Sequence, residues 1–229
     1  MEDQTAVIEQ INSLVNQAEK TIQQSGRRHL IQIYAEGLKS KLTEADFAVS
    51  QLQRLRGLSD KLQTNTAEDA TIEDRRYFYS DAFWAFLYSA LDVLAHLGNQ
   101  TLKLGLAENN TDFKKVNTKL QGNQHKDKEV AKLFRCCLSS HDFRRLDKYR
   151  NCALHRRHVY VEETFAGISG SRGYTTGETQ RVVHYVCDDA YNTKPSVEQK
   201  REIPDFMEKM RDNIVKHIVQ ILRSLTPVK

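Results

Sequence analysis

Residues 82–97, AFWAFLYSALDVLAHL, form the most apolar stretch of this chain of 229 residues. The large apolar side chains recur every three or four positions, which places them on one face of an α-helix: Phe83, Phe86, Leu87, Ala90, Leu94 and Leu97. The uninterrupted run is short, because Asp92 and His96 follow it, so it predicts a buried helix and not a membrane span. Thr71-Ile72-Glu73-Asp74 resembles a capping box at which this helix begins.

Helical spacing of apolar residues also precedes this stretch. Residues 3–24 show an amphipathic pattern, and a second long pattern runs from 30 to 62. Gly37 and Gly57 are positions where the second helix can bend. Together the two patterns predict a long N-terminal helical hairpin within residues 1–66.

Four more helices are predicted after the apolar stretch. Short helical patterns occur at 113–120, within a polar connection, and at 128–138. Ser139-Ser140-His141-Asp142 is typical of an N-cap and begins a further helix. The last helix is predicted to begin near Ser196 and to kink at Pro204.

The apolar period changes from 3.6 to 2 after His158. Alternating residues at 159–163 and 182–186 flank a glycine-rich turn at 167–173, which predicts a β-hairpin insertion near 159–187. The predicted fold class is therefore all-α, an antiparallel helical bundle with a long N-terminal helical hairpin and this insertion. We expect a single domain, residues 1–229, whose core comprises 71–158 and 196–225.

Composition narrows the class of protein. Proline occurs three times and glycine ten times, and so few helix breakers favour long helices over disordered linkers. The acidic, polar N-terminus MEDQTAVIEQ is unlike a secretory signal, and the four cysteines form no Cys-x-x-Cys pair. We therefore expect a cytoplasmic protein with buried thiols and no association with a membrane.

Basic residues are concentrated at 144–158, RRLDKYRNCALHRRH. This window holds six of the 34 Lys and Arg residues and one acid, a net charge of +5. The whole chain is +4, so the remainder is close to neutral, at −1. Local positive charge next to a histidine, which titrates near neutral pH, favours work on a phosphodiester.

A helical wheel of this window places Arg150 in the middle of an apolar face. That face comprises four other residues: Phe143, Leu146, Ala153 and Leu154. An unpaired guanidinium is costly to bury, so one explanation is a structural ion pair or a side chain that extends to solvent. The other explanation is chemistry shared with Asn151 and His155, which lie together on the adjoining flank.

Arg150-Asn151-x-x-x-His155, late in a helix of a helical bundle, resembles the signature of the HEPN superfamily (higher eukaryote and prokaryote nucleotide-binding domains). The flanking residues 143–149 and the run 89–95 on an earlier helix are also similar to that superfamily. Many HEPN proteins are metal-independent ribonucleases of toxin–antitoxin, phage-defence or CRISPR-linked systems. Others are catalytically silent modules for dimerisation, nucleotide binding or protein interaction.

The resemblance implies a role for each residue of the motif. His155 would move a proton between the 2′-hydroxyl and the departing 5′-oxygen, and Arg150 would stabilise charge on the phosphate. Asn151 would orient His155 or bind a phosphate oxygen. Further phosphate contacts would come from the neighbouring basic residues: Arg144, Arg145, Lys148, Arg156, Arg157 and His158. Asp92 faces either Arg150, as a second partner, or water.

The implied partners are RNA, a second copy of the chain, and an antitoxin or a nucleotidyltransferase. HEPN proteins usually dimerise so that two motif helices face each other, and a homodimer would also cover the apolar face around Arg150. His155 and His158 lie three apart, but no third metal ligand follows at a recognisable spacing. We therefore expect neither a metal site nor a cofactor.

Overall fold

A computed structural model describes residues 2–22, 25–59, 67–122, 128–155, 161–166, 181–187 and 200–225. The α-helices are α1 (Glu2–Thr21), α2 (Ser25–Ser59), α3 (Ala67–Leu102), α4 (Phe113–Leu120), α5 (Glu129–Ser139), α6 (His141–His155) and α7 (Ile203–Leu225). The strands are β1 (Val161–Ala166), β2 (Arg181–Cys187) and β3 (Lys200–Glu202). The predicted all-α class is confirmed. No helix in the described part of the chain is long and apolar enough to cross a membrane.

The apolar stretch at 82–97 lies inside α3 and is buried, as predicted. Of the six apolar residues predicted to share one face, five are buried and Phe86 is half-buried. The ammonium group of Lys41 lies 4.9 Å from the centre of the Phe86 ring. The predicted start of this helix is wrong, because α3 begins at Ala67 and the residues 71–74 lie within it. Residues 67–70, AEDA, combine good helix formers with acids that suit a first turn, so the helix begins earlier.

The predicted N-terminal helices correspond to α1 and α2. α1 buries one face, formed by Val7, Ile11, Leu14 and Ala18. α2 continues without interruption through Gly37 and Gly57. At Gly37 it lies close to α3, since a β-carbon at this position would be 3.5 Å from Val93 Cγ1. The glycine therefore marks a close approach of two helices.

Side chains pair the backbone groups at the C-terminal end of α3. The guanidinium of Arg27 donates hydrogen bonds to the carbonyl oxygens of Gln100 and Thr101. Asn99 Nδ2 donates to the carbonyl oxygen of Leu106 at 2.8 Å, and the Leu106 N–H donates to Asn99 Oδ1 at 3.1 Å. Carbonyl groups that end a helix have no partner inside it, and these contacts supply partners for some of them.

Three aromatic rings pack α4, α5 and the first turn of α6 together. Phe113 stacks on Phe134 with 4.8 Å between ring centroids and on Phe143 with 5.6 Å. The predicted helices at 113–120 and 128–138 are confirmed. The predicted N-cap of α6 is also confirmed, because Ser140 Oγ accepts a hydrogen bond from the Phe143 N–H at 3.1 Å.

The described strands form a three-stranded antiparallel sheet in the order β1-β2-β3. β1 and β2 pair from Val161 opposite Val186 to Ala166 opposite Arg181. The glycine-rich turn predicted at 167–173 lies outside the described residues.

The predicted start of the last helix near Ser196 is wrong. Residues 200–202 form β3 against β2, and α7 begins at Ile203. Pro204 therefore lies in the first turn of the helix, where a missing N–H costs nothing, and not at a kink.

Contacts divide the chain into two compact units. Unit 1 comprises residues 1–44, 86–147 and 210–229, and unit 2 comprises 45–85 and 148–209. The boundaries fall inside α2, α3, α6 and α7, so each of these helices contributes residues to both units.

Candidate functional site

Aromatic rings support the second half of α6 within unit 2. Tyr149 stacks on Trp84 of α3, with ring centroids 4.4 Å apart and planes 12° from parallel. Phe206 of α7 contacts the edge of Tyr149 at 5.8 Å and of Trp84 at 6.2 Å. All three side chains are buried. Large, stiff aromatic contacts of this kind fix the orientation of the helix segment that carries the motif.

The buried face of α6 differs from the predicted one. It follows a spacing of three residues through Phe143, Leu146, Tyr149 and Cys152. Arg150 and Ala153 are half-buried, so Arg150 does not occupy the middle of a buried stripe. The predicted face left out Tyr149 and Cys152, whose side chains are buried as completely as that of Leu146. The i, i+3, i+6 spacing around these residues was the signal that could have found them.

Arg150 and Asn151 make direct contact. Arg150 Nη1 donates a hydrogen bond to Asn151 Oδ1 at 2.9 Å. The bond is charge-assisted, which makes it stronger than a hydrogen bond between two neutral groups. The sequence predicted that Asn151 orients His155 or binds phosphate, and it missed this pairing.

His155 is the last residue of α6. Helix geometry places position 155 one turn beyond Asn151, on the same side of the helix. Arg156, Arg157 and His158 lie outside the described residues. Lys148 is exposed on the turn before Asn151.

The first half of the basic window lies in unit 1. Arg144 is exposed and Arg145 is half-buried. Asp147 is the one acid of the window, and its two oxygens accept hydrogen bonds from Lys114 Nζ at 2.8 and 3.0 Å. The positive charge of Lys114 therefore compensates the only negative charge in the window.

Asp92 has a role that the sequence did not suggest. Its Oδ1 accepts a hydrogen bond from the backbone N–H of Phe113, the first residue of α4, at 3.1 Å. Asp112 caps the same helix by accepting from the Lys115 N–H at 2.8 Å. Two carboxylates thus lie at the positive end of the α4 dipole, where negative charge is stabilising.

A second group of titratable side chains surrounds His96 in unit 1. Its ring stacks on Tyr34 at 4.8 Å, and the Tyr34 hydroxyl donates to Glu108 Oε1 at 2.7 Å. Burial, with help from the hydrogen bond to Glu108 and its charge, raises the pKa of Tyr34 to about 12. Burial lowers the pKa of His96, although the carboxylates of Glu108, Asp92 and Asp112 act in the opposite direction.

No group of three His, Cys, Asp or Glu residues suited to a metal ion occurs among the described residues. Comparison with protein-family models, with curated proteins and with solved structures found no match. The functional interpretation depends on the residues of α6 and their surroundings.

Proposed function

We propose that the chain is a metal-independent endoribonuclease of the HEPN type, with Arg150, Asn151 and His155 as its reacting centre. The observation that carries this proposal is the hydrogen bond between Arg150 and Asn151. It holds a half-buried guanidinium next to Tyr149, whose ring packs against Trp84 and Phe206. An oriented cation with a histidine one turn beyond its Asn151 partner suits phosphodiester chemistry.

The proposed reaction is an internal transesterification. His155 removes the proton from the ribose 2′-hydroxyl, whose oxygen attacks the neighbouring phosphorus. The bond from phosphorus to the 5′-oxygen breaks, and that oxygen receives a proton from a histidine in its charged form. The products are a 2′,3′-cyclic phosphate and a 5′-hydroxyl. The unperturbed histidine pKa of about 6.5 allows both forms near neutral pH.

Arg150 is proposed to stabilise the negative charge that grows on the phosphate oxygens. Its planar fork can donate two parallel hydrogen bonds to them. Asn151 acts as a positioning residue, because its amide oxygen holds one nitrogen of the fork. Asn151→Ala removes this positioning contact. It should lower the rate of cleavage less than Arg150→Ala does.

The test is cleavage of single-stranded RNA in the presence of a chelator. We expect the wild-type chain to release fragments that end in a 2′,3′-cyclic phosphate and to leave DNA of the same sequence intact. His155→Ala should reduce the rate by about 10²–10⁴-fold, the usual contribution of general acid–base catalysis. Arg150→Ala should cause a loss of similar size.

Matched controls are available in the same chain. His141 lies at the other end of α6 and is exposed, and Arg54 is exposed on α2. His141→Ala and Arg54→Ala should cleave RNA at the wild-type rate. Cleavage that requires a divalent metal, or that survives His155→Ala in full, would reject this mechanism. A wild-type chain that cleaves no RNA under these conditions would favour the catalytically silent module instead.

A further inference from the structure

The exposed face of α5 carries a row of basic side chains in unit 1. Lys128, Lys132 and Arg135 are spaced i, i+4, i+7, so they lie on one side of the helix, and all three are exposed. The opposite side buries Val130, Phe134 and Cys137. We call the three residues the α5 basic row; it spans about 10 Å along the helix axis.

The α5 basic row has no structural explanation in the described residues. No carboxylate there pairs with any of its three side chains, whereas Lys114 is paired with Asp147 and Lys115 with Asp112. Like charges at this spacing destabilise a helix, by a few tenths of a kcal/mol per pair. Lys128 also occupies the N-cap position without a capping hydrogen bond, at the end of the helix dipole that repels cations.

The surroundings of the row are also basic. Residues 112–139 contain seven Lys and Arg and three Asp and Glu, a net charge of +4 in 28 residues. Lys119 on α4 and Arg144 on α6 are exposed as well. The three helices that Phe113, Phe134 and Phe143 join thus each carry exposed positive charge.

We infer that the α5 basic row binds the phosphate backbone of RNA. This inference rests on the proposed function for the identity of the nucleic acid, but it concerns binding and not cleavage. A row of exposed cations matches a chain of phosphates, whose neutralisation releases counterions and provides affinity without base recognition.

An acidic membrane fits this surface less well. Basic helices that bind membranes add large apolar side chains that enter the lipid. The exposed large apolar residues of the described chain are Ile8, Ile33, Phe47 and Phe78, and none of them lies on α4, α5 or α6. The surface offers charge alone, which is what a phosphodiester backbone requires.

The experiment measures binding of the full chain to a single-stranded 2′-O-methyl RNA oligomer, which cannot be cleaved by its own 2′-hydroxyl. The test variant combines Lys128→Gln, Lys132→Gln and Arg135→Gln. We expect its dissociation constant to rise by roughly tenfold or more at low salt. The slope of log K against log salt should fall by about 2, because each single-strand phosphate contact contributes about 0.7.

The matched control combines Lys209→Gln, Lys216→Gln and Arg223→Gln, three exposed basic residues of α7 at heptad spacing. It removes the same charge and should change affinity little. Thermal melting followed by circular dichroism should show both variants folded, since removal of unpaired like charges on α5 costs no stability. Equal weakening by the two triple variants, or no weakening by the α5 variant, would overturn the inference.

Two further arms identify the ligand. At equal charge concentration, vesicles rich in phosphatidylserine and poly-glutamate should each displace the labelled RNA less than unlabelled 2′-O-methyl RNA does, and equal displacement by either would overturn the assignment to RNA. Failure of the proposed function gives a different result: the wild type would bind 2′-O-methyl RNA through the α5 row but would not cleave ordinary RNA.

Discussion

At the residue scale, single polar side chains satisfy backbone groups that the helices leave without partners. Asp92 accepts from the first N–H of α4, and Arg27 donates to the last carbonyls of α3. Asn99 pairs both the N–H and the carbonyl of Leu106. These two hydrogen bonds resemble the pair that two residues exchange in an antiparallel sheet. Asn99 is 4% exposed.

Asn99→Ala should lower the free energy of unfolding by about 2–3 kcal/mol, because it removes two hydrogen bonds and leaves two backbone groups without their partner. Asn99→Asp puts a carboxylate oxygen against the buried Leu106 carbonyl and should cost at least as much. Urea denaturation followed by circular dichroism measures both. Exposed Asn109 is the control, and Asn109→Ala should change stability by less than about 0.5 kcal/mol. Equal stability of the two alanine variants would contradict the role of Asn99.

Two neighbouring residues of the motif region, Tyr149 and Arg150, are held by different contacts. Arg150 is held by Asn151, its neighbour in sequence, while the adjacent Tyr149 is held by Trp84 from another helix. One side of α6 thus has a fixed packing surface and the other presents polar groups. Tyr149 therefore anchors this part of the helix, and Arg150 and Asn151 carry the proposed chemistry.

At the element scale, the sheet is joined to the helices through β3, which precedes α7 directly. The last pair of the β1–β2 ladder joins Ala166 and Arg181, with fourteen residues, 167–180, between them. A terminal pair of this kind can be closed by a two-residue Asn-Gly turn, whose backbone twist matches that of the strands.

Replacing residues 167–180 by Asn-Gly should leave the helices folded, because these residues are polar and glycine-rich and contribute little apolar area. The helical circular dichroism and the melting temperature should match those of the full chain. A variant with a fourteen-residue Gly/Ser connection controls for loop length. Loss of helical signal in the Asn-Gly variant would show that the replaced segment packs on the helices.

At the scale of the whole molecule, cover of an apolar face on α6 is no longer a reason to expect a homodimer. The side of α6 formed by Phe143, Leu146, Tyr149 and Cys152 is buried within the chain itself, so these residues need no second copy to cover them. The expectation now rests on the motif alone, since one arginine and one histidine are few groups for a reaction that needs both an acid and a base.

The homodimer remains a prediction, and light scattering at micromolar concentration checks it. We expect a mass near twice the 26.4 kDa of one chain. Arg150→Ala should be measured alongside, because a residue that contributes to both the interface and the chemistry would lower the mass as well as the activity. A wild-type mass near 26.4 kDa would contradict the dimer.

Local pattern alone determined the positions of most helices and the Ser140 cap. These features depend on residues three or four apart, which a single chain segment already contains. Local charge likewise located the basic window and, through the HEPN resemblance, the candidate residues Arg150, Asn151 and His155.

Only the tertiary structure decided which neighbours those residues have. The start of α7 depends on the pairing of β3 with β2, and the buried face of α6 depends on Trp84 and Phe206. Asp92 at the start of α4 is the same kind of contact, between residues 21 positions apart. Such contacts join distant parts of the chain, so periodicity in a short window contains no information about them, and packing overrides local preference.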